Sequence, residues 1–303
     1  MKSQFTYEGA LKASERIHWT VEDLIGGDKT LNFDLPFLPE SLARTQAMTG
    51  LTPREQMLLN QIRGHGYLYT FGLVEEFILP FVLDHARPHL EEDDHRTRAL
   101  LAFAAEEAKH IHLFKRFREE FLNGFGHHID VIGPARDVAA AVLGHHPLAV
   151  ALAILHIEWM TQRHYVESVR DDQDLDPQFK SLLKHHWMEE SQHAQLDTLM
   201  VEALAENLSH EEREQAVGEY LEIGMFLDGG IKQQGEFDLD AFERAAGRTL
   251  EGEARRAFLE HQHQALRWTF LGTGMTHPQF LAALERLHPD FRAKIESVAP
   301  AFC

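Results

Sequence analysis

The sequence predicts a single all-α domain, and three observations carry that prediction. Four long stretches between residues 52 and 208 repeat apolar side chains at helical spacing, and three shorter amphipathic stretches come after them. No convincing two-residue alternation marks a strand, and neither an internal repeat nor a low-complexity tract divides the 303 residues. Glutamates interrupt the most apolar parts of the long stretches, at Glu75-Glu76, Glu107 and Glu158. With 44% hydrophobic residues, the chain has ample material for a buried core.

Residues 1 to about 50 read as an arm packed on the main body, with a short helix expected over Ser14–Leu24 and a stretch punctuated by Pro36 and Pro39 after it. Thr52-Pro53 then opens the first long helix, Thr at the N-cap and Pro in the first turn, running to about Ala86 with a kink expected at Pro80. The second helix starts near Asp93-Asp94, acids suited to a helix start, and runs to about Leu122. One stripe of it carries Leu100, Phe103, Glu107, His110, Ile111 and Phe114, and Asn123-Gly124-Phe125-Gly126 ends it. A loop rich in Gly, His and Pro is expected from there through Pro134, with Pro147 as the alternative farther end. The third helix covers about Leu148 to Val169. Ala149–Ile157 is apolar apart from His156, which makes this helix central. Asp176-Pro177 opens the fourth, to about Asn207. Amphipathic patterns at 211–234, 250–272 and 277–287 complete the chain, punctuated by Gly229-Gly230, Gly247 and Gly272-Thr273-Gly274.

The fourth long helix carries the chemistry. His186, Glu190 and His193 fall within an arc of roughly 60° at 100° per residue, so they share one face. Glu107 and His110 repeat the Glu-x-x-His spacing in the second helix. Taken separately, each tetrapeptide reads as a surface salt-bridge face. Taken in the order Glu, Glu-x-x-His, Glu, Glu-x-x-His, the residues assemble a carboxylate-bridged dimetal site. Glu158 supports this, because a carboxylate set in so apolar a run must meet a cation, a metal or a proton. The first helix offers Glu75 or Glu76, both on apolar faces; Glu76 is preferred because its face also holds His65, Tyr69 and Gly72, a more polar and roomier lining. The candidate metal ligands are therefore Glu76, Glu107, His110, Glu158, His186, Glu190 and His193. Four carboxylates balance two divalent cations, and oxygen and imidazole donors without sulfur suit iron, with manganese as the alternative. Asp197, one turn beyond His193, is placed to accept a hydrogen bond from a ligating imidazole; Glu106 and Glu189 are candidates for the same role, with solvent-facing positions the preferred reading of both.

A formal charge of −19 argues against nucleic acid and anionic membrane as partners. The one cysteine, Cys303, leaves no disulfide framework and no thiolate site, which points to the cytosol. The N-terminus leads into charged sequence without an apolar leader, and no run is expected to span a membrane.

The motif order resembles the ferritin-like dimetal-carboxylate superfamily, which implies a four-helix bundle over residues 54–208. The extra His186 ahead of Glu190 and His193, and the acid-Glu-x-x-His form of Glu106-Glu107-Ala108-Lys109-His110, are similar to the AurF and CmlI family of di-iron arylamine N-oxygenases. The resemblance implies that Glu76 (or Glu75), Glu107, His110, Glu158, Glu190 and His193 are the common ligands, with His186 binding one iron only. It implies two irons, O2 as co-substrate, a peroxo-bridged diferric intermediate, and oxidation of a small amine to hydroxylamine, nitroso or nitro product. An external electron donor and a homodimer are expected with it. A C–H hydroxylase, desaturase or fatty-acid-processing oxidase on the same scaffold is the rival reading. It would leave His186 outside the ligand set and line a greasy tunnel with Phe71, Phe103 and Phe114. Ferritin-type iron storage is a further rival, and the extra C-terminal helices argue against it.

Overall fold

The computed structural model describes residues 3–91 and 94–303; Asp93 of the expected second-helix start, and Met1 and Lys2, lie outside the described residues. The elements in order are α1 (Tyr7–Ser14), α2 (Glu40–Ala43), α3 (Pro53–Ala86), α4 (His95–Phe125), α5 (Ala135–Leu143), α6 (Pro147–Arg163) and α7 (Pro177–Ala205). After these come α8 (His210–Ala246), α9 (Gly252–Arg267), the single turn α10 (Thr273–Met275), α11 (Pro278–Leu287) and α12 (Pro289–Val298). No strand occurs among the described residues. Helices α3 and α4 pack along one another, as do α6 and α7, and α4 meets α7 to close a four-helix bundle. Helix α8 lies across α6 and α3, α9 lies on α8, and α1 rests on α4 and α7.

The helix starts follow from their caps. The Thr52 hydroxyl accepts from the Glu55 amide while the Glu55 carboxylate accepts from the Thr52 amide, and Pro53 sits in the first turn. Ser209 and Glu212 make the same reciprocal pair at α8. Asp94 caps α4 by accepting from the Thr97 amide at 3.0 Å. Asp176 caps α7 and also accepts from the Asn32 amide at 3.0 Å, tying the N-terminal arm to the bundle.

Several expectations change. Helix α3 spans the expected Pro53–Ala86 and is helical on both sides of Pro80, which lies one turn after the partly exposed Glu76. Helix α8 likewise runs unbroken through Gly229-Gly230 for 37 residues, its packing on α3 and α6 overriding the glycine cost. The expected loop before Pro147 contains α5, whose Ala- and Val-rich sequence is a better helix former than its Gly, Pro and His flanks suggest. The arm's helix falls at Tyr7–Ser14, capped by Thr6, rather than at Ser14–Leu24, where only a 3-10 turn, Val21–Asp23, forms. Helix α12 is an addition to the elements expected at the C-terminal end.

Helix α3, extended to His89, is long and apolar enough to cross a membrane by length and composition, contrary to the sequence expectation. In this fold 56% of its apolar window is buried inside the protein, as in a core helix.

Two buried histidines bolt the C-terminal helices to the bundle. The Thr273 hydroxyl donates to the Thr269 carbonyl at 2.8 Å and so accepts from His164 Nε2 at 2.9 Å. His164 Nδ1 is thereby left to accept the Tyr67 hydroxyl at 3.0 Å. His156 donates from Nε2 to the Phe270 carbonyl and accepts the Tyr220 hydroxyl at Nδ1, 2.8 Å away. A Cβ on Gly274 would lie 2.3 Å from the His156 ring, so only glycine fits there. Burial pushes His156 down to about 4, against an ordinary value near 6.5 in the unfolded chain. The unfolded chain therefore takes the proton first, and the stability His156 confers is complete above about pH 6.5 and is lost as pH falls toward 4. We predict that His156→Gln lowers the melting temperature at pH 8 by an amount that shrinks between pH 6.5 and 4. A pH-independent difference in thermal melts would refute it.

Candidate metal centre

The bundle core gathers Glu75 from α3, Glu107 and His110 from α4, Glu158 from α6, and His186, Glu190 and His193 from α7. None of these side chains belongs to a residue more than 2% exposed. Glu75, His110, His186 and Glu190 present one donor atom each within 4.8 Å of one another, and Glu107, His110, Glu190 and His193 do the same. His110 and Glu190 belong to both groups, which makes two adjoining ligand sets rather than one. Glu158 joins through Glu190, whose carboxylate it meets, and its own Oε2 has no partner among the described residues.

Of the seven expected residues, Glu76 does not reach this cluster. It lies on the outer side of α3, where Oε1 meets Lys115 Nζ at 2.8 Å with the Glu76 side chain 32% exposed. Glu75 takes its place. The polar, roomy face that favoured Glu76 is polar because it is the outside of the bundle: Tyr69, Gly72, Lys115 and Arg118 border a shallow hollow beside it. His186 points inward, with Nε2 3.1 Å from Glu75 Oε1 and 2.9 Å from Glu190 Oε1.

The donor set fits a pair of cations. His193 Nδ1 is 2.9 Å from Glu107 Oε1 and His110 Nδ1 is 3.0 Å from Glu190 Oε1. Neighbouring ligands at right angles around one ion with bonds of about 2.1 Å stand about 3.0 Å apart. Glu75 Oε2, both Glu107 oxygens, Glu190 Oε1 and the Nδ1 atoms of His110 and His193 have no hydrogen-bond partner among the described residues, and all aim at this volume. Burial, then the adjacent Glu75, pushes Glu107 well above the usual carboxylate range; burial, then Glu190, does the same to Glu158. Crowded carboxylates of this kind are relieved by cations.

The outer contacts cross between helices. His193 Nε2 lies 2.7 Å from Glu106 Oε2, and His110 Nε2 lies 2.8 Å from Glu189 Oε2. A carboxylate accepts, so each Nε2 carries the hydrogen and each Nδ1 turns its lone pair inward. Glu106 and Glu189 are therefore buried orienting groups and not solvent-facing residues. The sequence holds a signal for this: each Glu-x-x-His is preceded by a second Glu, and each such Glu holds the histidine of the other helix. Asp197, expected in that role, has neither oxygen hydrogen-bonded among the described residues, and burial raises its carboxyl well above the usual range. The N-terminal arm closes the outside. Trp19 stacks on His110 with ring centres 6.2 Å apart, Lys109 sits 3.9 Å over the Trp19 ring while pairing with Glu189, and the Ser14 hydroxyl donates to Glu106. No sequence signal links Trp19 to the centre.

Beside the centre lies an apolar cavity of about 480 Å³, between α3, α5, α6 and α8. Phe71, Val74, Ile157 and Met160 form its inner wall. Val74 and Ile157 adjoin Glu75 and Glu158 in sequence, and the Phe71 ring lies 5.4 Å from that of His186. Phe103 and Phe114, expected with Phe71 in a tunnel, pack instead on His193 and His186.

Comparison with known proteins agrees with this geometry. A family model described as P-aminobenzoate N-oxygenase AurF matches residues 9–271, well beyond the 54–208 core that carried the sequence resemblance. Comparison with curated proteins returns no significant match. Among solved structures, an R2-like ligand-binding oxidase mutant with an aerobically reconstituted Mn/Fe cofactor is similar in fold, with a TM-score of 0.51 and 14% identity over 91% of this chain and 97% of that one. Another mutant of that oxidase, with an Fe/Fe cofactor, has a TM-score of 0.49 and 14% identity, covering 91% of this chain and 93% of that chain. The extent of the family match, with the buried carboxylate–histidine cluster, shows that the chain belongs to the AurF family and is an oxidoreductase of the di-iron oxygenase kind.

Proposed function

We propose that the protein inserts oxygen from O2 at the nitrogen of a small amine, giving a hydroxylamine, nitroso or nitro product. The observation that carries this reading is the third histidine: His186 Nε2 stands among Glu75 and Glu190 as a donor, and not outside the cluster. On this reading Glu75, Glu107, His110, Glu158, His186, Glu190 and His193 hold two irons, which when bound supply O2 activation. Glu106 and Glu189 accept from Nε2 of His193 and His110, which fixes each ring so that its Nδ1 lone pair is the one offered to a metal. Phe71, Phe103 and Phe114 exclude water from the imidazoles of His186 and His193. An external electron donor and a homodimeric assembly belong to the same proposal.

The apolar cavity also favours a second reading, oxygen insertion at carbon in an apolar ligand. Isotope labelling separates the two. With iron-loaded protein, reductant, ¹⁸O₂ and a panel of arylamines, mass spectrometry is expected to find the label on nitrogen. Label on a ring or chain carbon moves the function to C–H oxygenation, and conversion of added iron to ferric mineral without labelled product favours storage.

A further inference from the structure

The lining of the cavity defines the charge and shape of what it holds. We propose that the substrate is an extended, uncharged apolar amine, and that compact carboxylated arylamines are excluded; this rests on the N-oxygenation reading above. No Lys, Arg or His lines the cavity among the described residues. Its one charged lining residue is Asp137, at the exposed mouth, where Oδ1 already meets Arg136 Nε at 3.2 Å. An arylamine one ring long, with its nitrogen against the inner wall, would leave its carboxylate within this apolar lining, which offers it no cationic side chain among the described residues. A carboxylate taken from water into such a lining without a partner is strongly disfavoured.

An uncharged ligand meets no such barrier. Thr70, buried on α3 and lining the cavity, carries a hydroxyl that can offer one hydrogen bond to an amine nitrogen. The volume suits a ligand larger than a single ring. The mouth is apolar as well, with Phe226 46% exposed on its rim. Helix α8 gives up two good helix formers at Gly229-Gly230 where it borders the cavity, and a Cβ on Gly229 would meet nothing within 4 Å. At Gly229 the bare backbone leaves open space, while at Gly230 an added Cβ would lie 3.3 Å from Ile132 Cδ1, so glycine there gives room to that side chain.

The test is calorimetric titration of the iron-loaded protein, held free of O2, with 4-hexylaniline and with p-aminobenzoate. We expect 4-hexylaniline to bind at least tenfold more tightly. Gly229→Leu should weaken that binding at least tenfold with iron content unchanged; if this variant does not load iron, Val138→Phe on the α5 wall serves instead. Equal or tighter binding of p-aminobenzoate, no binding of 4-hexylaniline, or indifference to the blocking variants would overturn the proposal. Tight binding of 4-hexylaniline without N-oxygenated product leaves the cavity assignment standing and removes the N-oxygenation reading. Turnover of p-aminobenzoate with no affinity for 4-hexylaniline does the reverse.

Discussion

Glu75→Ala protein is expected to lose tight binding at one of its two metal positions, while Glu76→Ala protein keeps both. The adjacent carboxylates differ in what surrounds them. Glu75 is buried with one oxygen 3.1 Å from His186 Nε2 and the other without a hydrogen-bond partner among the described residues, facing His110 Nδ1 at 3.7 Å. Removing it subtracts a charged donor from a site whose remaining imidazoles cannot compensate, and a loss of at least about 100-fold in affinity is the result, since even outer-contact losses reach that size. Glu76 makes a partly exposed pair with Lys115, and such pairs contribute only about 0–1 kcal/mol. Iron content after chelator competition decides between them. Equal loss in both variants, or loss in Glu76→Ala alone, would return the ligand to the outer face of α3.

The second large effect concerns the crossed outer carboxylates. Glu106→Leu and Glu189→Leu are each expected to lower metal affinity or turnover by about 10–100-fold, equivalent to about 1.4–2.8 kcal/mol, because each frees a ligating imidazole from its tautomer and orientation. Glu189→Leu also leaves Lys109 without its carboxylate over the Trp19 ring, so its effect should be the larger. Asp197→Asn is the control. Its carboxyl is buried, held well above the usual range by that burial, and makes no hydrogen bond among the described residues, so a neutral amide of the same shape should leave metal affinity unchanged. A loss in Asp197→Asn matching that in Glu106→Leu would restore the hydrogen-bonding role that the sequence suggests for Asp197.

The first-helix ligand is the hardest residue to place from sequence. Glu75 and Glu76 are 100° apart on a helix with apolar residues on both sides, and periodicity carries no information about which side meets α4 and α7. Preferring the more polar face reverses the answer, because polarity there marks the surface. Glu106 and Glu189 mislead for a related reason. An acid beside an acid resembles a solvated face until two helices approach closely enough for each to reach the other's histidine. The sequence pattern ends this helix near residue 234, twelve residues short of Ala246, because the packing on α3 and α6 that carries α8 onward is not visible locally.

What the sequence by itself determined is the set of residues that repeat along one helix: Glu107 with His110, His186 with Glu190 and His193, and the costly Glu158 in an apolar run. Those relations are intrahelical, so 3.6-residue geometry is enough to establish them. Only the tertiary structure decided which carboxylate of α3 completes the cluster, which acids orient the histidines, that Trp19 of the arm covers His110, and that a cavity lined by no cationic side chain among the described residues lies beside the centre. Each of these depends on contacts between segments far apart in sequence, set by how the helices pack and rotate against one another, which no local pattern encodes.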